Sequence, residues 1–281
     1  MFEGLRRYLP GKLGRAGITV PVVRIAGVIG VDAPFRPGVT LASVASPLEK
    51  AFAVKDAPAV ALIVNSPGGS PVQSHLIHRR IRSLAEESGK KVLAFVEDVA
   101  ASGGYMVAVA ADEIVADPSS VVGSIGVVSQ GFGFVDLIGK LGIERRVHTA
   151  GTRKAILDPF RPEEPQDVEH LLALQAEIHA GFVDLVKARR RNLATDRTDL
   201  FSGLFWTGTT AVQLGLVDRL GDLRGTLRER FGEDVRPKLI GGERSWPFRR
   251  GRSVGVDAGS ALAEDVMSAV ESRAFWSRYG L

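Results

Sequence analysis

Two residues far apart in the chain have the types needed for nucleophilic chemistry. Ser102 sits where a β-type stretch ending in Val99, Ala100 and Ala101 gives way to Gly103 and Gly104. A serine at such a strand-to-helix junction projects from the start of a helix, where backbone N–H groups have no intrahelical partner. Those donors can hold a developing oxyanion, so the position suits an attacking hydroxyl. The same hydroxyl also suits a plain helix cap for Tyr105–Ala111, and the local sequence leaves both readings open. The pattern is not the G-x-S-x-G elbow, because position 100 is alanine. Lys154 lies in a second loop, Gly151-Thr152-Arg153-Lys154, which runs on to Asp158-Pro159-Phe160. A lysine serves as a general base only when burial or nearby positive charge lowers its pKa. Arg146 and Arg153 can supply the charge, and Ala155, Ile156 and Leu157 the desolvation; an exposed lysine in a basic turn is the competing reading. Together the two residues suggest amide hydrolysis through an acyl-enzyme, which needs neither a metal nor an organic cofactor.

A third element is Asn65-Ser66-Pro67-Gly68-Gly69. Adjacent glycines directly after an apolar run permit backbone conformations that aim an N–H into a cleft. A donor from Gly68 or Gly69 would complement the one at Gly103, although Pro-Gly-Gly is also an ordinary turn. The histidines compete weakly. His75, His78, His170 and His179 fall on helical patterns without a metal-ligand spacing, and only His148, near Lys154, merits attention as a site neighbour. A formal S-x-x-K match at Ser88–Lys91 falls in a turn after a helix, not at a helix start, and is taken as chance. No phosphate loop, dinucleotide fingerprint, HExxH or EF-hand pattern is present.

These residues must be positioned by the surrounding elements. Val22–Ile29, Ala59–Val64 and Lys91–Val96 are apolar strand-type runs, and Val72–Ala85 between the last two has helical spacing. Strand, glycine turn, helix and strand in that order predict an α/β fold of repeated units in stacked parallel sheets. Leu41–Lys55 reads as helical with a break or late start at Pro47. Glu113–Ala116 and Val121–Val128 are predicted strands, the second bent at Gly123 and Gly126; Phe134–Leu141 is predicted helical and Glu144–Thr149 a strand. Pro162–Arg191 is the longest helical candidate, and its basic run Lys187–Arg191 reads as a helix end or as a ligand patch. Shorter helices are expected at Thr209–Leu214 and Asp222–Phe231, with a last strand at Arg236–Ile240.

The 281 residues carry a net charge of +4, with 45% hydrophobic residues and no cysteine. This excludes disulfides, thiolate catalysis and cysteine-bound zinc, and gives no long basic arm for nucleic acid. Residues 1–20 are basic and read either as an interfacial helix broken at Pro10 and Gly11 or as a frayed terminus. Residues 21–240 form the expected main domain, 241–259 a poorly ordered linker, and 260–279 an amphipathic helix suited to a neighbouring surface. The run Ile18–Ile29 is interrupted by Pro21, Arg24 and Gly27, so neither a signal peptide nor a membrane anchor is expected there.

Five landmarks in consistent order resemble the signal peptide peptidase A family, serine–lysine peptidases of the S49 type with a crotonase/Clp protease fold. They are NSPGG at Asn65–Gly69, ASGGY at Ala101–Tyr105, VGSIGV at Val122–Val127, GTRKAILDPF at Gly151–Phe160, and FSGLFWTGTTAVQLGLVDRLG at Phe201–Gly221. The resemblance implies Ser102 as nucleophile, Lys154 as general base, Gly69 and Gly103 as oxyanion donors, and Gly68 as the residue that shapes the turn. It implies that Gly208, Gly215 and Asp218 fix turns or subunit contacts, and that copies assemble into a ring or dome. Implied substrates are peptides such as signal-peptide remnants at or near a membrane, and the single set of landmarks resembles the short, single-domain form. Many relatives carry an N-terminal membrane anchor that is not evident here, so the expected location departs from theirs, in the cytoplasm or at the inner membrane face. Extended peptide is expected to pair along Val127, Val128, Ser129 and Gly131. Two rivals share the fold: an acyl-CoA enzyme using Glu97, Asp98 and Glu113, and a non-catalytic peptide-binding scaffold.

Overall fold

The computed structural model describes residues 17–30, 38–241, 270 and 273–281. The chain runs through β1 (Thr19–Ala26), α1 (Leu41–Phe52), β2 (Ala59–Ser66), α2 (Pro71–Ser88), β3 (Lys91–Ala101) and α3 (Gly103–Ala108). It continues through β4 (Glu113–Ala116), β5 (Val121–Gly123), α4 (Val135–Lys140), α5 (Pro165–Arg189) and β6 (Phe205–Thr207). The last elements are α6 (Gly208–Gln213), β7 (Arg219–Leu220), α7 (Leu223–Phe231) and β8 (Arg236–Ile240). The α/β class and the repeated strand-turn-helix units of the crotonase/Clp-type expectation are both present.

The strands form one sheet, ordered β6-β5-β3-β2-β1-β8, which divides along β3. Leu93–Val96 pair with β4 and Val99–Ala101 with β5, all in parallel, so one long strand serves two branches. Successive side chains of a strand point to opposite faces. Val60, Leu62 and Val64 accordingly enter the large core beneath the helices, while Ala59 and Ala61 join a smaller core with Leu227 of α7. Burial on both faces explains why these strands read as unbroken apolar runs.

The register between β2 and β3 is broken at one point. Val64 stands opposite Val96, but Ser66 stands opposite Ala100, so β3 carries two extra residues there. The Asn65 side chain fills the irregularity, donating to Asp98 Oδ2 at 2.6 Å and accepting from the Val99 N–H at 3.3 Å. Ser120 Oγ, 2.6 Å from the Glu97 carbonyl, satisfies the other side. This bulge advances the end of β3 by two positions relative to the end of β2.

Helix ends are fixed by local chemistry. Thr40 and Ser43 make a reciprocal capping box at the start of α1, and the helix runs through Pro47 without interruption, where a break was expected. Lys90, which precedes the lysine of the chance S-x-x-K match, donates to the carbonyls of Phe52 and Val54 and so ties down the end of α1. The basic run at the end of α5 is also structural in part. Arg189 donates to the carbonyls of Val109 and Ala111, and Arg190 grips Asp218 through two bonds of 2.8 Å. Asp218 in turn accepts from the Ile114 N–H at 2.7 Å, and Gly215 holds φ +73, so both fix turns as expected. A Cβ at Gly208 would lie 2.0 Å from the Asp117 carbonyl oxygen, which restricts that position to glycine.

Two expectations need correction. Only Val121–Gly123 of the predicted Val121–Val128 strand pairs, because Ser124 turns into φ +54 and bonds Leu204 instead. Glu144–Thr149 is not a strand. Its residues are mostly exposed, and Arg145 instead pairs with Asp158 and lies over the Phe160 ring. No helix among the described residues is long and apolar enough to cross a membrane. All but Gly241 of the expected linker 241–259, and the greater parts of the 1–20 segment and the 260–279 helix, fall outside the described residues, although 273–277 are helical.

His78 joins α2 to α3 through a 2.9 Å bond between Nδ1 and the Met106 carbonyl, and burial pushes its imidazole down to about 4 from 6.5. The folded chain therefore holds His78 neutral where the unfolded chain would bind a proton. Stability contributed by the neutral ring is present above pH 6.5 and is lost as pH falls toward about 4. The loss should reach on the order of 3 kcal/mol at the acid end of that window. Urea unfolding across the window should show this slope in the wild type and a flatter one in His78→Gln; identical slopes would contradict the assignment.

Candidate active site

Ser102 lies between the end of β3 and the start of α3, with φ +51 and ψ −123. For a non-glycine residue this is a strained conformation, of a kind that persists only where the surroundings enforce it. Its N–H donates to the Gly123 carbonyl at 2.8 Å and its carbonyl accepts from Met106 N–H at 3.0 Å, so the backbone is held on both sides. The side chain makes no capping hydrogen bond, which removes the helix-cap reading. All six residues of α3 are buried, and a Cβ at Gly103 or Gly104 would meet Ser74 Oγ at 2.2 Å or the Ser66 carbonyl oxygen at 2.3 Å. The glycines after Ser102 are thus required by the tight seating of the helix against β2 and α2.

The Asn65–Gly69 turn meets this junction directly. A Cβ on Gly68 would lie 2.8 Å from Ser102 Cβ and 2.9 Å from Gly103 N, so the backbones touch. Gly68 and Gly69 adopt φ +104 and +139. The Gly68 carbonyl accepts from the Ile29 N–H at 2.8 Å. Across a trans peptide the N–H points opposite to the carbonyl, so Gly69 N–H faces away from Ile29. Neither Gly69 N–H nor Gly103 N–H has a hydrogen-bond partner among the described residues. The structure therefore brings Ser102, Gly68, Gly69 and Gly103 together, as the sequence landmarks anticipate.

Ser102 and Gly69 open onto a cleft of about 620 Å³, large enough for several side chains of a ligand. Val127 and Val128 line it, whereas Ser129 and Gly131 are exposed and stand off its lining. Lining residues to which the sequence assigned no site role include Ser124, Gln175, His179 and Phe275. His179 Nε2 is 3.2 Å from the Ile125 carbonyl, and its place on a helical pattern gave no hint that this face of α5 borders the cleft. His148, the histidine singled out by sequence, is exposed and not part of the lining.

Lys154 is exposed in the turns between Gly151 and Leu157 and does not line the Ser102 cleft. Its ammonium has no ion-pair partner among the described residues, while Arg146 pairs with Glu144 and Arg153 with Asp167. Asp158 nearby is held below the usual carboxylate range, chiefly by the Phe160 N–H and also by Arg145. The carboxylates of the acyl-CoA alternative are engaged elsewhere: Glu97 with Arg24, Asp98 with Asn65, and Glu113 with Arg230. None of the three lines the cleft.

Comparison with known proteins bears on the same residues. A Brucella abortus protein named Na(+)/H(+) antiporter NhaA is 55% identical over 286 residues, which covers 99% of this chain but only 39% of that protein. The chloroplastic serine protease SPPA of Arabidopsis thaliana is 30% identical over 227 residues, covering 79% of this chain and 33% of that protein. Among solved structures, a mutant of the 1510-N membrane-bound stomatin-specific protease aligns with 80% of this chain and 99% of its own at 16% identity and a TM-score of 0.47. The chain thus spans well under half the length of either curated relative. Residues 85–231, more than half of the chain and inclusive of the Ser102 junction, match the model of Peptidase family S49. By that match the chain belongs to peptidase family S49.

Proposed function

We propose that the chain is a serine endopeptidase in which Ser102 is the nucleophile and Lys154 the general base. The observation that carries this reading is Ser102 itself, held at φ +51 with an uncapped side chain beside the unpartnered N–H groups of Gly69 and Gly103. Neutral Lys154 takes the hydroxyl proton as the oxygen attacks a peptide carbonyl, and the two N–H groups hold the negative charge that develops. The lysine then protonates the leaving amine, and water releases the acyl group. Extended peptide lies along Val127 and Val128, where the chain leaves β5 and no strand continues. Signal-peptide remnants at a membrane surface are the substrates we favour, on the strength of the family resemblance.

In this reading the Lys154 segment joins the cleft in an assembled form of the protein. Two features support assembly: α4 buries none of its residues, and Phe132, Leu137, Leu141 and Ile143 around it are all more than half exposed. Apolar side chains so displayed suit contact with a second copy. The short segment 127–162 would then be set in place by its neighbour, with Lys154 turned toward a serine.

Ser102→Ala and Lys154→Ala should each lower peptide turnover by at least about 10³-fold while leaving the thermal midpoint in place. Normal turnover by either variant, in a peptide-cleavage assay with mass analysis of the products, would sink the mechanism. Peptide binding with no cleavage by the wild type would favour the scaffold alternative. Gly68→Ala places a methyl group against Ser102 at a positive φ and should cost about 1–3 kcal/mol of stability. It should also slow labelling of Ser102 by a fluorophosphonate; an unchanged labelling rate would contradict the close approach of the two backbones.

A further inference from the structure

We infer that Tyr279 is a positioning residue for the Ser102 site, acting through its phenol hydroxyl on the turn that carries the oxyanion donors. The inference rests on the peptidase reading of the cleft. Tyr279 is far from the site in sequence but buried against it, packed on Val99 and Ala101 of β3 and edge-on to Phe205, with ring centroids 5.0 Å apart. Its hydroxyl lies 3.4 Å from the Pro67 carbonyl oxygen and 3.2 Å from Ser124 Oγ. A phenol can donate once and also accept, so it can give its proton to Pro67 and receive that of Ser124.

The need for such a contact follows from the glycines. Gly68 and Gly69 have little intrinsic preference among backbone conformations, so the orientation of each peptide plane in the turn depends on external bonds. The Gly68–Gly69 plane is set by the Ile29 N–H on the Gly68 carbonyl. The preceding plane, Pro67–Gly68, has two restraints: Gly68 N–H donates to Ser66 Oγ at 3.2 Å, and the Pro67 carbonyl meets Tyr279. Without the phenol this plane is held at one end only, and rotation there is passed on to the Gly69 N–H.

The second contact ties the opposite wall. Ser124 is 5% exposed, lines the cleft, and sits at φ +54 directly after Gly123, whose carbonyl accepts from Ser102 N–H. One hydroxyl therefore links the Pro67 carbonyl on one side of Ser102 to the Ser124 side chain on the other, while the ring beneath it packs on the residue before the serine, Ala101.

The test compares full-length wild type with Tyr279→Phe, Tyr279→Ala, Ser124→Ala and the Tyr279→Phe/Ser124→Ala double variant. Tyr279→Phe keeps the ring and should lower kcat about tenfold, less than the ~10²–10³ cost of removing an oxyanion donor outright. Its KM and thermal midpoint should stay near wild type, whereas Tyr279→Ala should lower the midpoint as well. Tyr279→Phe and Ser124→Ala should be non-additive in kcat, because they act on one hydroxyl pair. Wild-type kcat in Tyr279→Phe, or a loss of kcat matched by the same fall in midpoint as in Tyr279→Ala, overturns the inference while leaving the peptidase reading intact. A wild-type chain that neither cleaves peptide nor is labelled at Ser102 overturns both.

Discussion

The bulge at Asn65 is the constraint on which the site depends. In an unbroken parallel register, Ser66 would stand opposite Asp98 and the Gly68 turn would fall level with Ala100. The two extra residues of β3 shift Ala100 to face Ser66, and that shift sets Ser102 against Gly68. A bulge leaves backbone groups without ladder partners, and each unpaired buried group is costly. Asn65 answers with both ends of its amide, one to Asp98 and one to Val99. Its side chain does what the missing rungs of the ladder would have done.

The same irregularity lets β3 change partners. Before it, the strand pairs with β4; after it, with β5, whose Gly123 carbonyl fixes the Ser102 N–H. A straight strand with one neighbour could not deliver a residue into the gap between two branches. The strained φ of Ser102 belongs to that geometry, enforced by Gly123 on one side and Met106 on the other.

Much of this was legible in the sequence because it rests on short-range rules. Apolar runs marked β1, β2 and the first half of β3, and the glycine pairs at 68–69 and 103–104 marked where backbones approach closely. What could not be read depends on distant partners. Pro47 looked like a helix break, yet the capping box at Thr40 and packing of Leu48, Ala51 and Phe52 into the core carry α1 past it. The apolar pattern after Gly123 suggested that the strand would continue, but the carbonyl of Leu204, far along the chain, claims the Ser124 N–H. His179 and Tyr279 carry no local pattern that announces a cleft, and only the packing of α5 and residues 273–281 against the site brings them there.

The Arg189 and Arg190 contacts give α5 a mechanical character. One end of this 25-residue helix is bolted by Arg189 to the carbonyls that follow α3, while Gln175 and His179, some three turns earlier, form part of the cleft wall. The helix spans the distance as a rigid rod, and its first turns bury little. A force applied to those first turns works as on a crowbar: it shifts the cleft wall and pulls on the anchorage of the helix that follows Ser102 at the same time.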